Sequence, residues 1–299
     1  MSMPLAIWHL CALTLTLTCL VWSLRVLSKR KLLQADAGAP SKTATSASKA
    51  KQPYDAFLLL DVEATCQQGT NFNYPNEIIE FPVCLMCWKD RRGGEASQLE
   101  VIDEFRSFVK PTWRPILSHF CTELTGITQD QVDAAPGFPD VLRSFRAFLT
   151  KHKLIEKSGK RRIRFCWCSD GPFDIRDFIV KQCFISNIPI PEWLTGDVLD
   201  VRRLVMTYKP GTKPQLGQRG LSSGLFGTLN IPSQLSALGL SPFQGRQHSG
   251  IDDTRNLARI VTELALKGVR LQPNTSINPR RRWFWMGKPG EILEDHVPH

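Results

Sequence analysis

Ala56-Phe57-Leu58-Leu59-Leu60-Asp61-Val62-Glu63 is an apolar run that ends abruptly in two carboxylates two residues apart. Five consecutive apolar residues read as a buried strand. In an extended chain residues i and i+2 face the same way, so Asp61 and Glu63 project together from its end. Because Leu58, Leu59 and Leu60 must be buried, that end opens towards a cleft and not a lateral surface. Two carboxylates this close repel, and one pKa rises unless a cation neutralises them. Hard oxygen donors at this spacing suit Mg²⁺ or Mn²⁺. Taken alone the pattern is weak, since a surface strand produces it too.

Outward from this strand, Glu77–Trp88 and Val101–Val109 read as two more strands separated by the turn-rich Lys89–Ser97. Leu124–Ile127 reads as a short helical turn, Phe138–Lys151 as an amphipathic helix and Ile163–Cys168 as a fourth strand. Pro172–Phe184 reads as a helix with proline in its first turn. Ile251–Lys267 is the strongest helix, with Ile251, Leu257, Ile260 and Leu264 on one face. Three strands followed by alternating strand and helix predict an α/β fold, a mixed central β-sheet flanked by helices. Two further acidic segments lie at element boundaries. Ser169-Asp170-Gly171-Pro172-Phe173-Asp174 sits where a strand gives way to a helix, and His248-Ser249-Gly250-Ile251-Asp252-Asp253 opens the strongest helix. By themselves Asp170 and Asp174 are equal candidates. So are Asp252 and Asp253, whose default role is capping.

The net charge of +10 is unevenly spread over the 299 residues. Residues 1–52 hold seven Lys/Arg against one Asp, residues 270–299 hold five against three acids, and 53–269 keep only +2. Two local sets, Lys157, Lys160, Arg161, Arg162, Arg164 and Arg202, Arg203, Lys209, Lys213, Arg219, suit either phosphate contact or a solvated face. Nine cysteines without a disulfide rhythm suit reduced thiols and exclude a disulfide scaffold. Cys84/Cys87 and Cys166/Cys168 lie in apolar runs and read as core, not zinc ligands.

Pro4–Leu24 carries no charge, is long enough to span a bilayer and is followed by Arg25, Lys29, Arg30 and Lys31. Positive charge on that side predicts a transmembrane anchor over residues 4–24 with the bulk of the chain facing the cytosol, at the ER or mitochondrial outer membrane. A soluble cytoplasmic or organelle-imported chain is the alternative. The organisation expected is an anchor with basic flank (1–31), a flexible linker (32–52), a catalytic domain (53–272) and a basic, aromatic tail (273–299). In the tail, Arg280–Met286 (RRRWFWM) mixes stacking aromatics with arginines, as single-strand binders do. It equally suits a segment packed on the domain or lying at a membrane.

Four blocks occur in order: Asp61-Val62-Glu63-Ala64-Thr65-Cys66, Glu77-Ile78-Ile79-Glu80-Phe81-Pro82, Phe120-Cys121-Thr122-Glu123-Leu124-Thr125-Gly126-Ile127, and His248-Ser249-Gly250-Ile251-Asp252-Asp253. Together they resemble the Eri-type (enhanced-RNAi, 3′ histone mRNA exonuclease-like) branch of the DEDDh 3′–5′ exonucleases. The resemblance implies an RNase H-like fold and removal of 3′-terminal nucleotides as 5′-monophosphates. It implies Asp61, Glu63, Asp174 and Asp253 as ligands of two Mg²⁺ ions, with Mn²⁺ as a substitute. Asp174 is selected over Asp170 because an aromatic residue, Phe173, precedes it, and Asp253 over Asp252 by its spacing from His248. It further implies His248 as general base beside Glu63, and Glu63, Ala64, Leu124, Thr125 and His248 against the terminal nucleotide, with Ile127 in the same wedge. The partner implied is an RNA 3′ end, single-stranded or with a short overhang; no protein partner is indicated. A 3′–5′ DNA exonuclease and a non-catalytic RNA-binding module are the alternatives. Pro210–Leu229 is longer than the usual connection before the last block, and either shapes the site or loops into solvent.

Overall fold

A computed structural model describes residues 49–208 and 229–298. Its strands are β1 (Ala50–Lys51), β2 (Ala56–Leu60), β3 (Glu63–Ala64), β4 (Ile78–Trp88), β5 (Glu95–Ala96), β6 (Leu99–Phe108), β7 (Phe165–Ser169) and β8 (Leu199–Asp200). Its helices are α1 (His119–Thr125), α2 (Gln129–Asp133), α3 (Phe138–Lys151), α4 (Val180–Ile185), α5 (Val201–Thr207), α6 (Ile231–Ala237) and α7 (Gly250–Leu266); a π-helical turn, Asp174–Ile179, leads into α4.

The main sheet runs β6-β4-β2-β7-β8, with β3 beside the start of β4. β4 is antiparallel to β2, β3 and β6, whereas β2, β7 and β8 are parallel. This is the mixed sheet of an RNase H-like exonuclease fold. β2 is buried along its whole length, and the two-residue period of a strand sorts its side chains between two cores. Ala56, Leu58 and Leu60 join Phe81, Val83, Leu85, Phe165 and Trp167 under α3. Phe57 and Leu59 join Cys84, Met86, Cys166 and Cys168 under α7. Cys84, Cys166 and Cys168 are buried free thiols in that layer.

The helix expected over Pro172–Phe184 is instead the π-helical turn running into α4. Such wide turns cluster at functional sites, and this one buries both Asp174 and Asp177. Residues 209–228, which hold nearly all of the long connection as well as Lys209, Lys213 and Arg219, lie outside the described residues.

The expectation of a transmembrane protein is overturned. Among the described residues no helix is long and apolar enough to cross a membrane. The longest, α7, has 17 residues and carries Asp252, Asp253, Arg255, Arg259 and Glu263. The stretch Pro4–Leu24 itself lies outside the described residues, and its three threonines and His9 leave it only moderately apolar.

The tail, by contrast, packs onto the domain. Trp283, Trp285, Met286 and Val297 are buried with Tyr74, Val180 and Ile185. Trp285 Nε1 donates to Asn73 O at 2.6 Å, and Arg281 pairs with the buried Asp177. In the Arg280–Met286 run Phe284 stays 93% exposed, and Arg280 is exposed beside the packed residues.

Candidate active site

At the end of β2 the chain leaves the sheet, and three elements converge on that break. From the π-helical turn, Asp174 Oδ1 accepts the Val62 N–H at 2.8 Å. From α7, Gly250 comes so close to the strand that a Cβ there would lie 2.5 Å from Asp61 O and 2.9 Å from Pro82 Cγ. From β4, the buried Glu80 accepts the Gly250 N–H through Oε2 at 3.1 Å and binds Arg106 Nε through Oε1 at 2.7 Å. Asp253, in the first turn of α7, reaches back so that its Oδ2 accepts the Ser249 N–H at 3.0 Å. Acids here also complement the positive end of the helix dipole.

The electrostatics show that these acids share one space. Asp61 is pushed well above the ordinary carboxylate range, by burial first and then by Asp174, Asp253, Glu63 and Asp170. Glu63 is pushed up by burial, then by Asp253, Glu80 and Asp174. Burial also raises Asp174 to about 7, against the opposing Val62 N–H. Asp253 rises to about 7 through burial, against the backbone N–H groups of Ser249 and His248. Mutual repulsion of this kind is what a hard divalent cation relieves, and an all-oxygen donor set fits Mg²⁺ or Mn²⁺. Among the described residues no three such groups are drawn into a ready-made cage, so the fit rests on donor chemistry and shared charge.

His248 stands at the surface beside this cluster with φ 59, a left-handed backbone uncommon outside glycine. Its imidazole is held below the usual histidine pKa by partial burial and then by Arg246. α1 approaches from the other side. Ser118 caps it, its hydroxyl accepting the Cys121 N–H at 3.0 Å, and Gly126 ends it at φ 73. Leu124 is half-buried on this helix. Thr125 and Ile127 turn inward instead: the Thr125 hydroxyl donates to Cys121 O at 2.8 Å and accepts the Ile127 N–H at 3.1 Å. Ala64 is buried next to Glu63, and Cys121 Sγ lies 3.7 Å from its carbonyl.

The neighbouring acids do other work. Asp170 binds Arg202 at 2.7 and 3.2 Å and Gln234 Nε2 at 2.7 Å. Asp252 Oδ2 accepts the Arg246 N–H at 3.0 Å. Arg161 is spent on the carbonyls of Trp193 and Thr195, at 3.1 and 2.7 Å, and Arg203 on Asn274 O at 3.0 Å.

Two acids of the second sequence block, Glu77 and Glu80, are given no role by the sequence and prove to be structural. Glu77 is fully buried and accepts from Thr112 N at 2.7 Å, Thr112 Oγ1 at 2.8 Å, Trp113 N at 2.8 Å and Arg114 N at 3.2 Å. Glu80 ties β4 to α7 as described. The available signal was two carboxylates inside an otherwise apolar strand, where each must find partners.

A family model for Exonuclease (RNase_T) matches residues 58–261. The chain is 37% identical to 3′-5′ exonuclease eri1 of Schizosaccharomyces pombe, an alignment covering 81% of this chain and 76% of that protein. It is 32% identical to 3′-5′ exoribonuclease 1 of Rattus norvegicus over 75% of this chain, but spans only 57% of the rat protein. Among solved structures, a 3′-exonuclease described in 3′-end specific recognition of the histone mRNA stem-loop superposes with a TM-score of 0.62. It is 28% identical, with 86% of this chain and 76% of that one covered. The nuclease domain of 3′hExo, a DEDDh family member bound to rAMP, gives 0.61 at 31% identity, covering 76% of this chain and all of that one. The chain belongs to the Exonuclease family and, within it, to the Eri1-type 3′–5′ exoribonucleases of the DEDDh class.

Proposed function

We propose that this chain removes nucleotides one at a time from RNA 3′ ends, single-stranded or with short overhangs, using Asp61, Glu63, Asp174 and Asp253 to hold two Mg²⁺ ions. DEDDh exonucleases are metal-dependent, and the observation that carries the reading is the convergence of four mutually repelling carboxylates from three elements beside His248. The bound ions supply charge neutralisation at the terminal phosphate and acidify the attacking water; Mn²⁺ is the natural substitute.

The protein's own residues do the rest. His248, kept neutral by its lowered pKa, takes the proton of the attacking water as general base. Glu63 works at the same centre. Asp174 is held in orientation by the Val62 N–H, and Asp253 by the Ser249 N–H. Leu124, half-buried on α1, packs on the terminal base. Glu63, Ala64 and Thr125 complete that wall, Thr125 by fixing the end of α1. Ribose selectivity comes from hydrogen bonds to the 2′-OH, which DNA cannot make.

Incubating a 5′-labelled single-stranded RNA and the matching DNA with Mg²⁺ or with EDTA tests this reading. A 3′-to-5′ ladder on RNA that EDTA abolishes is the expected result. A ladder on DNA alone points to a DNA exonuclease, and binding without cleavage to a non-catalytic module. Asp61→Ala and His248→Ala each abolish turnover if the roles are right; full activity in either refutes its assignment.

A further inference from the structure

His248 sits in a strap, residues 245–249, that delivers it to the first turn of α7. A left-handed backbone costs a non-glycine residue about 1 kcal/mol or more and persists only where the surroundings over-determine it. Three contacts do so. Asp252 Oδ2 accepts the Arg246 N–H at 3.0 Å, Asp253 Oδ2 accepts the Ser249 N–H at 3.0 Å, and Arg246 Nη1 donates to His248 O at 3.2 Å.

The same guanidinium also reaches out of the strap. Arg246 Nη2 donates to Glu123 O at 2.8 Å, one of the last-turn carbonyls of α1 that have no partner inside the helix. Its seat exists because residue 126 is glycine. A Cβ at Gly126 would lie 2.9 Å from the guanidinium carbon. A second glycine makes room for the strap itself: a Cβ at Gly245 would lie 2.5 Å from the carboxyl carbon of Asp252, the acid that accepts the Arg246 N–H. The guanidinium fork spans two carbonyls at once, Glu123 O and His248 O, which a lysine ammonium cannot reproduce in that geometry.

We infer that Arg246 is a positioning residue that clamps the backbone of His248 to the end of α1, so that the general base and Leu124 move as one unit. The inference rests on the exoribonuclease reading for its catalytic consequence, but the clamp itself is a property of the fold. It acts through the position of the imidazole, not through contact with RNA.

Arg246→Lys keeps the charge and removes the fork, and Gly126→Ala keeps the arginine and fills its seat. In both, kcat on single-stranded RNA falls by on the order of 10- to 100-fold, the cost of misplacing a catalytic group by about 1 Å. RNA affinity measured with Ca²⁺ in place of Mg²⁺ stays close to wild type in both; the melting temperature stays close to wild type in Arg246→Lys, whereas alanine at the φ 73 of residue 126 lowers it by about 2–4 °C. Full kcat in Arg246→Lys, or a loss confined to KM, overturns the inference. Independently of activity, the His248 ring signal in NMR of histidine-labelled protein shifts or broadens in Arg246→Lys; an unchanged signal also overturns it. An inactive wild type whose His248 signal responds to the substitution would fail the exoribonuclease reading and leave the clamp standing.

Discussion

Asp174 Oδ1 accepts the backbone N–H of Val62 at 2.8 Å, so the acid from the π-helical turn is fastened between Asp61 and Glu63. An amide oxygen can accept the same bond, while its lack of charge removes one of the four repelling groups. Asp174→Asn is therefore expected to raise the melting temperature of the EDTA-treated protein by about 2–4 °C, the equivalent of roughly 1 kcal/mol in a domain of this size. Activity falls by three orders of magnitude or more. Asp174→Ala loses the activity and also lowers the melting temperature, because the Val62 N–H is left unpaired. Differential scanning calorimetry of the two variants separates the orienting bond from the charge.

The raised carboxyls also set how stability depends on pH. Asp174 and Asp253 titrate near 7 in the folded protein, against about 3.9 in an unfolded chain. Between those values the folded state binds more protons, so stability is highest at acidic pH and is lost as pH rises through about 7. Without metal, the melting temperature should thus fall between pH 5 and pH 8. Mg²⁺ should stabilise the protein more at pH 8 than at pH 6, because protons and the cation compete for the same oxygens. A melting temperature that rises with pH in EDTA would contradict this arrangement.

The rate profile follows from the same competition. At low Mg²⁺ the acid limb of kcat/KM is steeper than one proton and centred near 7, since the carboxyls must ionise to hold cation. At saturating Mg²⁺ it becomes a single ionisation, that of His248, centred below the ordinary 6.5 of histidine. Initial rates across pH 5–9 at the two concentrations provide the check; one unchanging limb at both would refute it.

Gly250 has no room for a side chain, since a Cβ would meet Asp61 O at 2.5 Å and Glu80 Oε2 at 3.2 Å. Gly250→Ala pushes α7 away from the strand that carries Asp61. The expected cost is about 1–3 kcal/mol of stability, as for other overpacked positions, with a loss of activity much larger than the loss of fold. Urea unfolding and rate measurements on one preparation show whether the two effects part in this way.

β2 was legible because its five apolar residues stop abruptly at Asp61, and its two-core sorting follows from period alone. The amphipathic α3 and α7 declared themselves in the same way, through long periodic faces. The π-helical turn did not, because Pro172–Phe184 has a composition that serves an α-helix as well. Local sequence could not separate Asp174 from Asp170: the difference lies in which carboxylate meets Val62 and which meets Arg202, contacts formed across 112 and 32 residues. Thr125 and Leu124 are adjacent, yet one faces the core and the other the surface, a distinction set by where α1 packs. Glu77 and Glu80 read as part of an apolar strand although their partners come from other elements. The apolar stretch Pro4–Leu24 shows the opposite limit, for the described part of the chain gives no membrane-spanning helix to accompany it.

Trp285 Nε1 reaches the carbonyl of Asn73, 212 residues earlier in the chain, in the loop that joins Glu63 to Glu77. At a synthesis rate of about 5–20 residues per second, roughly 10–40 s pass between the two residues' appearance. During that interval the catalytic strand is already made, while the loop beside it lacks its brace. The brace of the loop that follows Glu63 is thus made only after every strand of the sheet and both long helices have been synthesised, so the loop is among the last parts of the domain to be fixed.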